Sequence, residues 1–91
     1  MDYKEEILEE EITTVTTEDL YDVVVFNDDI NTFDHVTSIL IKVCKHSQEQ
    51  AEQCTYLIHF KGKCAVRSGS FTDLLPIKNG ICDAGIDARI I

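Results

Sequence analysis

Four consecutive apolar residues, Val23-Val24-Val25-Phe26, stop at Asn27-Asp28-Asp29, and a helical pattern begins within a few residues. A short β-branched and aromatic run, bounded by turn formers, reads as a strand over residues 21–27. Being apolar on both faces, it should be well covered by other elements. Asp28 to Thr32 has turn chemistry, and Thr32 suits the N-cap of the helix that follows. In that helix Phe33, Val36, Ile39, Leu40, Val43 and Cys44 recur at spacings of three and four, one buried stripe. Three hydrogen-bonding side chains, two of them acidic, therefore stand at the seam between a buried strand and a buried helix.

The remaining pattern completes a small domain. Ser47 and Gln50 have capping-box spacing and open a second helix to about Phe60, with Ala51, Cys54, Leu57 and Ile58 inward and Gly62 as its stop. Residues 63–68, KCAVRS, alternate as a strand with Cys64 and Val66 on one face. A third helix is expected from about Thr72 to Ala84, with Pro76 in or near its first turn, weakened at Gly80 and capped by Gly85. IDARII closes the chain as a strand, with Ile86, Ala88 and Ile90 on one face. The order β-α-α-β-α-β predicts an α/β fold of the α+β type, a single domain with a small three-stranded antiparallel sheet packed against helices.

Length and charge bound the rest. Ninety-one residues make one domain with one modest core. The formal charge of -9 is uneven. Residues 1–20 hold eight acids against Lys4 alone, -7, whereas residues 21–91 hold nine acids and seven bases, -2. The chain thus divides into an acidic flexible N-terminal extension, 1–20, and a nearly neutral core domain, 21–91. Ile7, Leu8 and Ile12 allow the extension a short amphipathic turn or two, and it reads either as a disordered solubilising tail or as a segment that folds onto a larger partner. No basic face is present for nucleic acid, no apolar run spans a membrane, and the acidic start is not a signal peptide. A cytoplasmic monomer is the expectation. Cys44, Cys54, Cys64 and Cys82 form no C-x-x-C pair and read as small reduced core residues. His35 and His46 are expected to face solvent.

One long-range pairing carries function. Thr55, Ile58 and His59 share a face of the second helix, at i, i+3 and i+4, and Phe33 and Val36 share one on the first. Side-by-side packing of these helices would enclose an apolar hole with a rim of Asn, Asp and His, suited to a ligand with a greasy body and a cationic head. V-V-V-F-N-D-D-x-N-T-F, with His59 following Asn27 by 32 residues and K-G-K after it, resembles the ClpS family. These are small adaptors that deliver N-degron substrates to the Clp protease. The resemblance covers residues 21–68 well and Ile86 onward more loosely. Thr32 stands where the family usually has proline, and the segment from Arg67 to Gly85 is shorter than the usual third helix with its flanks.

The resemblance implies a non-enzymatic adaptor without a cofactor. It assigns Asn27, Asp28, Asp29 and His59 to the substrate's α-amino group. It assigns Asn31, Phe33, Val36, Thr55, Ile58 and Ile86 to the pocket for the first side chain, with Asn31 where the family usually has Thr and Phe33 and Thr55 at positions often Met. The implied partners are a hexameric AAA+ Clp unfoldase, ClpA- or ClpC-like, and proteins beginning with Leu, Phe, Tyr or Trp. A peptide α-amine is largely cationic at neutral pH, so a carboxylate, an amide oxygen and a neutral imidazole can all accept from it. Charge-assisted bonds with one buried side chain lead to an affinity in about the micromolar range. Two other readings stand beside this one. One is a ClpS-like or ribosomal-stalk-like interaction domain with a degenerate pocket. The other is a small metal-dependent hydrolase, disfavoured because no third carboxylate has ligand spacing near Asp28-Asp29.

Overall fold

The structure, a computed structural model, describes residues 20–91; the expectations for the extension lie almost wholly outside them. The elements are β1 (Tyr21–Phe26), α1 (Phe33–Cys44), α2 (Gln48–Lys61), β2 (Lys63–Gly69), α3 (Phe71–Asp83) and β3 (Ala88–Ile90). This is the expected order. The closing strand is shorter than IDARII suggested, because Ile86 is spent in the turn after α3, its N–H donating to the Ile81 carbonyl at 3.4 Å.

β1 lies in the middle of the sheet, in the order β2-β1-β3, and pairs antiparallel on both sides. Val23 and Val25 are fully buried under the helices. Val24 and Phe26 face the other way and are only half-buried. The expected cover on both faces is thus corrected to cover on one. On the open face the Arg89 guanidinium lies 4.8 Å from the Phe26 ring centre, a cation–π contact that shields the ring while keeping the charge in water. Leu40 of α1, Ile58 of α2 and Leu74 and Ile81 of α3 meet the two valines to form the core.

A bulge in β2 joins sheet to helix. Val23 pairs with Arg67 and Val24 with Ala65, so Val66 is an extra residue opposite β1. Val66 enters the core, 6% exposed. Arg67 also reaches the helix layer, where Nη1 donates to the Cys44 carbonyl at 2.8 Å. That bond satisfies an end carbonyl of α1 and places a cation at the negative end of the helix. α1 stops at Lys45, whose φ of 63° is left-handed.

The helix starts are set by side-chain caps. Thr32, Ser47 and Ser70 accept from the N–H groups of His35, Gln50 and Asp73, each at 3.1 Å. Pro76 falls at the sixth residue of α3 rather than in its first turn, which removes one helical hydrogen bond. Gly80 has a packing reason. A Cβ there would lie 3.1 Å from Val43 Cγ1, so the glycine lets α3 close onto α1.

Several side chains depart from expectation. Leu57, expected inward, is 39% exposed, since the residues α2 buries are Ala51, Cys54, Thr55 and Ile58. His46, expected in solvent, is buried, and its Nε2–H donates to the Val66 carbonyl at 2.8 Å. His35 is half-buried and donates through Nε2 to the Ala84 carbonyl at 3.0 Å. All four cysteines carry free thiols. Burial pushes Cys44 up to about 11 and Cys64 up to about 12, so both are protonated and poorly nucleophilic at neutral pH.

Candidate functional site

The site assembles where three chain reversals meet: the loop after β1, the end of α2, and the turn between α3 and β3. The Asn27 N–H donates to the Gly62 carbonyl at 2.9 Å. Gly62, with φ of 96°, is the left-handed stop of α2, three residues beyond His59. This bond continues the β1–β2 pairing, in which Phe26 faces Lys63, and holds the end of β1 beside the last turn of α2, across 35 positions of sequence.

Asp28 builds the loop. Its Oδ1 accepts from the N–H groups of Ile30 at 2.9 Å and Asn31 at 2.8 Å, and its Oδ2 accepts from Asn31 Nδ2 at 2.7 Å. This is an Asx-type turn, in which a short carboxylate replaces the backbone acceptor the loop lacks. The bonds from the backbone of Asn31 and Ile30 hold the carboxyl below its ordinary value, against partial desolvation, helped by the Asn31 amide and, least, by electrostatic attraction toward His59. The same geometry places Asp28 within electrostatic reach of His59. Asn31 Nδ2 also donates to the Gly85 carbonyl at 2.9 Å, and His35 fastens to Ala84 next to it. The loop is therefore pinned to the turn that precedes Ile86.

This placement sorts the expected residues. Asn27 and Asp29 are exposed at the mouth, where they can meet a ligand. Asp28 shapes the loop with three accepted bonds, two on Oδ1 and one on Oδ2, which leaves Oδ2 room for a further donor. Asn31, expected to line the pocket, instead turns back onto Asp28 and Gly85. Thr55 is fully buried. Its hydroxyl donates to the Ala51 carbonyl at 2.8 Å and accepts from Thr37 at 2.9 Å, a bond that draws α1 and α2 together. Val36, Ile58 and Ile86 are 2–3% exposed and belong to the core. The expected open hole is corrected accordingly: solvent scarcely reaches these four walls. Two branched aliphatics and a short threonine, held by that hydroxyl bond, let the helices close. The accessible apolar group is Phe33, 37% exposed rather than part of a buried stripe, its ring centre 5.6 Å from that of His59.

His59 has a defined tautomer. Its Nδ1 lies 3.1 Å from the Thr55 carbonyl. A carbonyl only accepts, so Nδ1 carries the hydrogen, and in the neutral ring Nε2 carries the lone pair. The imidazole is fixed by the carbonyl four residues earlier and by Phe33, and it offers one acceptor at the mouth. Sequence reasoning named His59 and the Asn-Asp loop, and the fold places the loop beside the helix that carries His59. It missed His35 and the carbonyls of Gly62, Ala84 and Gly85, because a backbone acceptor leaves no mark in residue identity. Among the described residues, no group of three His, Cys, Asp or Glu side chains is arranged to hold a metal. No described helix is long and apolar enough to cross a membrane.

A three-stranded antiparallel sheet backed by three helices, with an Asx-built acidic loop near a helix-borne imidazole, defines a small α+β domain. The model of the family described as ATP-dependent Clp protease adaptor protein ClpS matches residues 16–84, and the chain belongs to that family. Among solved structures, ClpS2 of Agrobacterium tumefaciens bound to L-phenylalaninamide is similar, with a TM-score of 0.69 and 18% identity over 81% of this chain and 96% of that one. At that identity the likeness speaks for the fold. No curated protein matches.

Proposed function

We propose that this chain is an N-degron adaptor: it binds proteins with bulky hydrophobic N-terminal residues and delivers them to a ClpA- or ClpC-like AAA+ unfoldase. The observation that carries the reading is the His59 ring, its Nδ1 spent on Thr55 and Nε2 free to accept, beside the anionic Asp28 loop. An α-ammonium donates to Nε2, to the Asn27 amide oxygen and to Asp29. The charge on Asp28 adds long-range attraction. The first side chain packs against the exposed ring of Phe33, which the buried Val36, Ile58 and Ile86 support only as core residues. Thr55 and Asn31 set the spacing of helices and loop from behind. That a ClpS structure binds L-phenylalaninamide, a free amine with an aromatic side chain, supports the reading by analogy.

Selection for a chain end follows from geometry. A lysine side chain presents an ammonium but no branching side chain on the adjacent carbon. Leu, Phe, Tyr and Trp should bind best, and β-branched residues should be crowded at Cβ by Phe33. Fluorescence anisotropy on peptides differing only at residue one tests this. The expected result is micromolar binding of the Leu-first and Phe-first peptides and loss of the Val-first one. Equal binding of the Val-first peptide contradicts the reading. Delivery is proposed to use the extension, whose charge of -7 is separate from the neutral core. Deleting residues 2–17 should spare peptide binding and abolish degradation by the unfoldase; unchanged degradation kinetics refute that role.

A further inference from the structure

A second concave site lies at the other end of the helix pair from His59. There α1 ends, α2 begins, and Cys44, Lys45, His46, Gln50, Val66 and Arg67 line a cavity of about 270 Å³ over the bulge of β2. Its electrostatics are one-sided. Lys45 and Arg67 supply two cations, and no lining residue is an acid. Among the described residues neither cation is paired with a carboxylate. Glu49, next to Gln50 in sequence, lines a separate groove with Phe33 and Tyr56. Arg67 spends one N–H on the Cys44 carbonyl, which fixes the guanidinium without neutralising it. His46 adds an unspent acceptor. The ring is 6% exposed, and its Nε2–H is committed to the Val66 carbonyl. In the neutral ring Nδ1 therefore carries a lone pair, and it finds no hydrogen-bond partner among the described residues. A buried acceptor is rarely left so, and this one calls for an incoming O–H or N–H.

The chain carries a segment of matching chemistry. Residues 13–19, Thr-Thr-Val-Thr-Thr-Glu-Asp, hold four hydroxyl donors and two carboxylates. They lie outside the described residues and join them at Leu20, just before β1. Val23, in that strand, pairs with Arg67, so the chain enters the fold one strand away from a cation of the cavity. Seven residues span up to about 23 Å, enough to double back over β2. We infer that the cavity is the docking site of this segment, with Glu18 and Asp19 against Lys45 and Arg67 and a threonine hydroxyl or backbone N–H on His46 Nδ1. The charges are complementary, and the donors supply what the buried imidazole lacks. The inference goes beyond the N-degron reading and does not depend on it. Docking keeps the acidic extension beside the body of the domain until a competing surface frees it.

The test is NMR on the full chain, reading backbone order parameters of residues 13–19 together with the His46 ring shifts. Four proteins are compared: wild type, Glu18→Gln/Asp19→Asn, Lys45→Asn and Lys63→Gln. Asparagine tolerates the left-handed backbone at position 45. Lys63→Gln removes the same charge from the opposite end of β2 and controls for the general field. In wild type at low salt the order parameters of residues 13–19 should exceed about 0.6, above the range of flexible chain. They should fall below it in Glu18→Gln/Asp19→Asn and in Lys45→Asn, with a matching move of the His46 ring, and hold in Lys63→Gln. Salt at about 1 M, which screens charges beyond about 3 Å, should release wild type in the same way. Order parameters below about 0.6 in wild type at low salt overturn the inference, as do equal effects of Lys45→Asn and Lys63→Gln. If inorganic phosphate moves the His46 ring while the Glu18→Gln/Asp19→Asn change does not, the cavity is a site for free anions and the segment is not its occupant. Should Lys45→Asn fail to fold, the acid variant and the salt series still decide, since Glu18 and Asp19 lie outside the described fold.

Discussion

Asp28 shows how one side chain can build a loop. Three donors converge on its carboxylate, and two of them are backbone N–H groups of the loop itself. Asp28→Ala should destabilise the domain by about 1–2 kcal/mol, the usual worth of such caps and turns, as read by urea denaturation. Asp28→Asn keeps one acceptor oxygen and should lose less. The acid limb follows from the depressed pKa. As pH falls, the unfolded carboxyl takes its proton first. The contribution is therefore complete above the ordinary carboxylate value and is lost as pH falls through the lower folded value. Between about pH 5 and 2, wild type should lose stability more steeply than Asp28→Asn. Parallel slopes would show that the carboxylate bonds do not stabilise the loop. The sequence displayed Asp28 as a ligand-facing acid because an Asx turn and a binding carboxylate use the same residue type. Only the register of the donors, at i+2 and i+3, separates them. His35 and His46 were misjudged for a related reason: a polar residue next to a helix end reads as exposed unless a remote carbonyl is known to await it.

At the scale of elements, legibility tracked local chemistry. The first two helix starts were marked by Thr32 and Ser47, and the stops by Gly62 and Gly85, because caps are satisfied within a few residues; the third start, expected at about Thr72, is capped by Ser70. What was not legible was the contact between elements. The bulge at Val66 depends on the register of β1, and the exposure of Leu57 and Phe33 depends on how closely α1 and α2 approach. Gly80 is a further case. Read alone it weakens a helix, but in the fold it faces Val43 at a distance no Cβ accepts comfortably. Gly80→Ala gains about 1 kcal/mol of helix propensity but crowds a stiff β-branched neighbour. The crowding should win, with a net loss of about 1 kcal/mol, since overpacking typically costs 1–3. In the background of Val43→Ala the same change should become stabilising. Denaturation midpoints of the four proteins close the cycle. A stabilised Gly80→Ala single variant would show that Val43 has room to yield.

For the whole molecule, the fold class was legible because the alternation of periods along the chain admits few arrangements of so short a sequence. The family was legible from one loop and one distant histidine. The open cavity was not: residues that can wall a pocket are the same residues that close a core, and Val36, Ile58 and Ile86 do the latter here. Affinity for a free amine is thus the property on which the functional account depends, and one double cycle measures it: the Kd of a Phe-first peptide, with its amine free or acetylated, against wild type and His59→Ala. If Nε2 of His59 accepts from the ammonium, acetylation weakens wild-type binding at least about tenfold, the lower end for a charge-assisted bond. His59→Ala then weakens the free-amine peptide by a comparable factor and leaves the acetylated one where it was. Equal losses for both peptides, or none for either, would contradict the account.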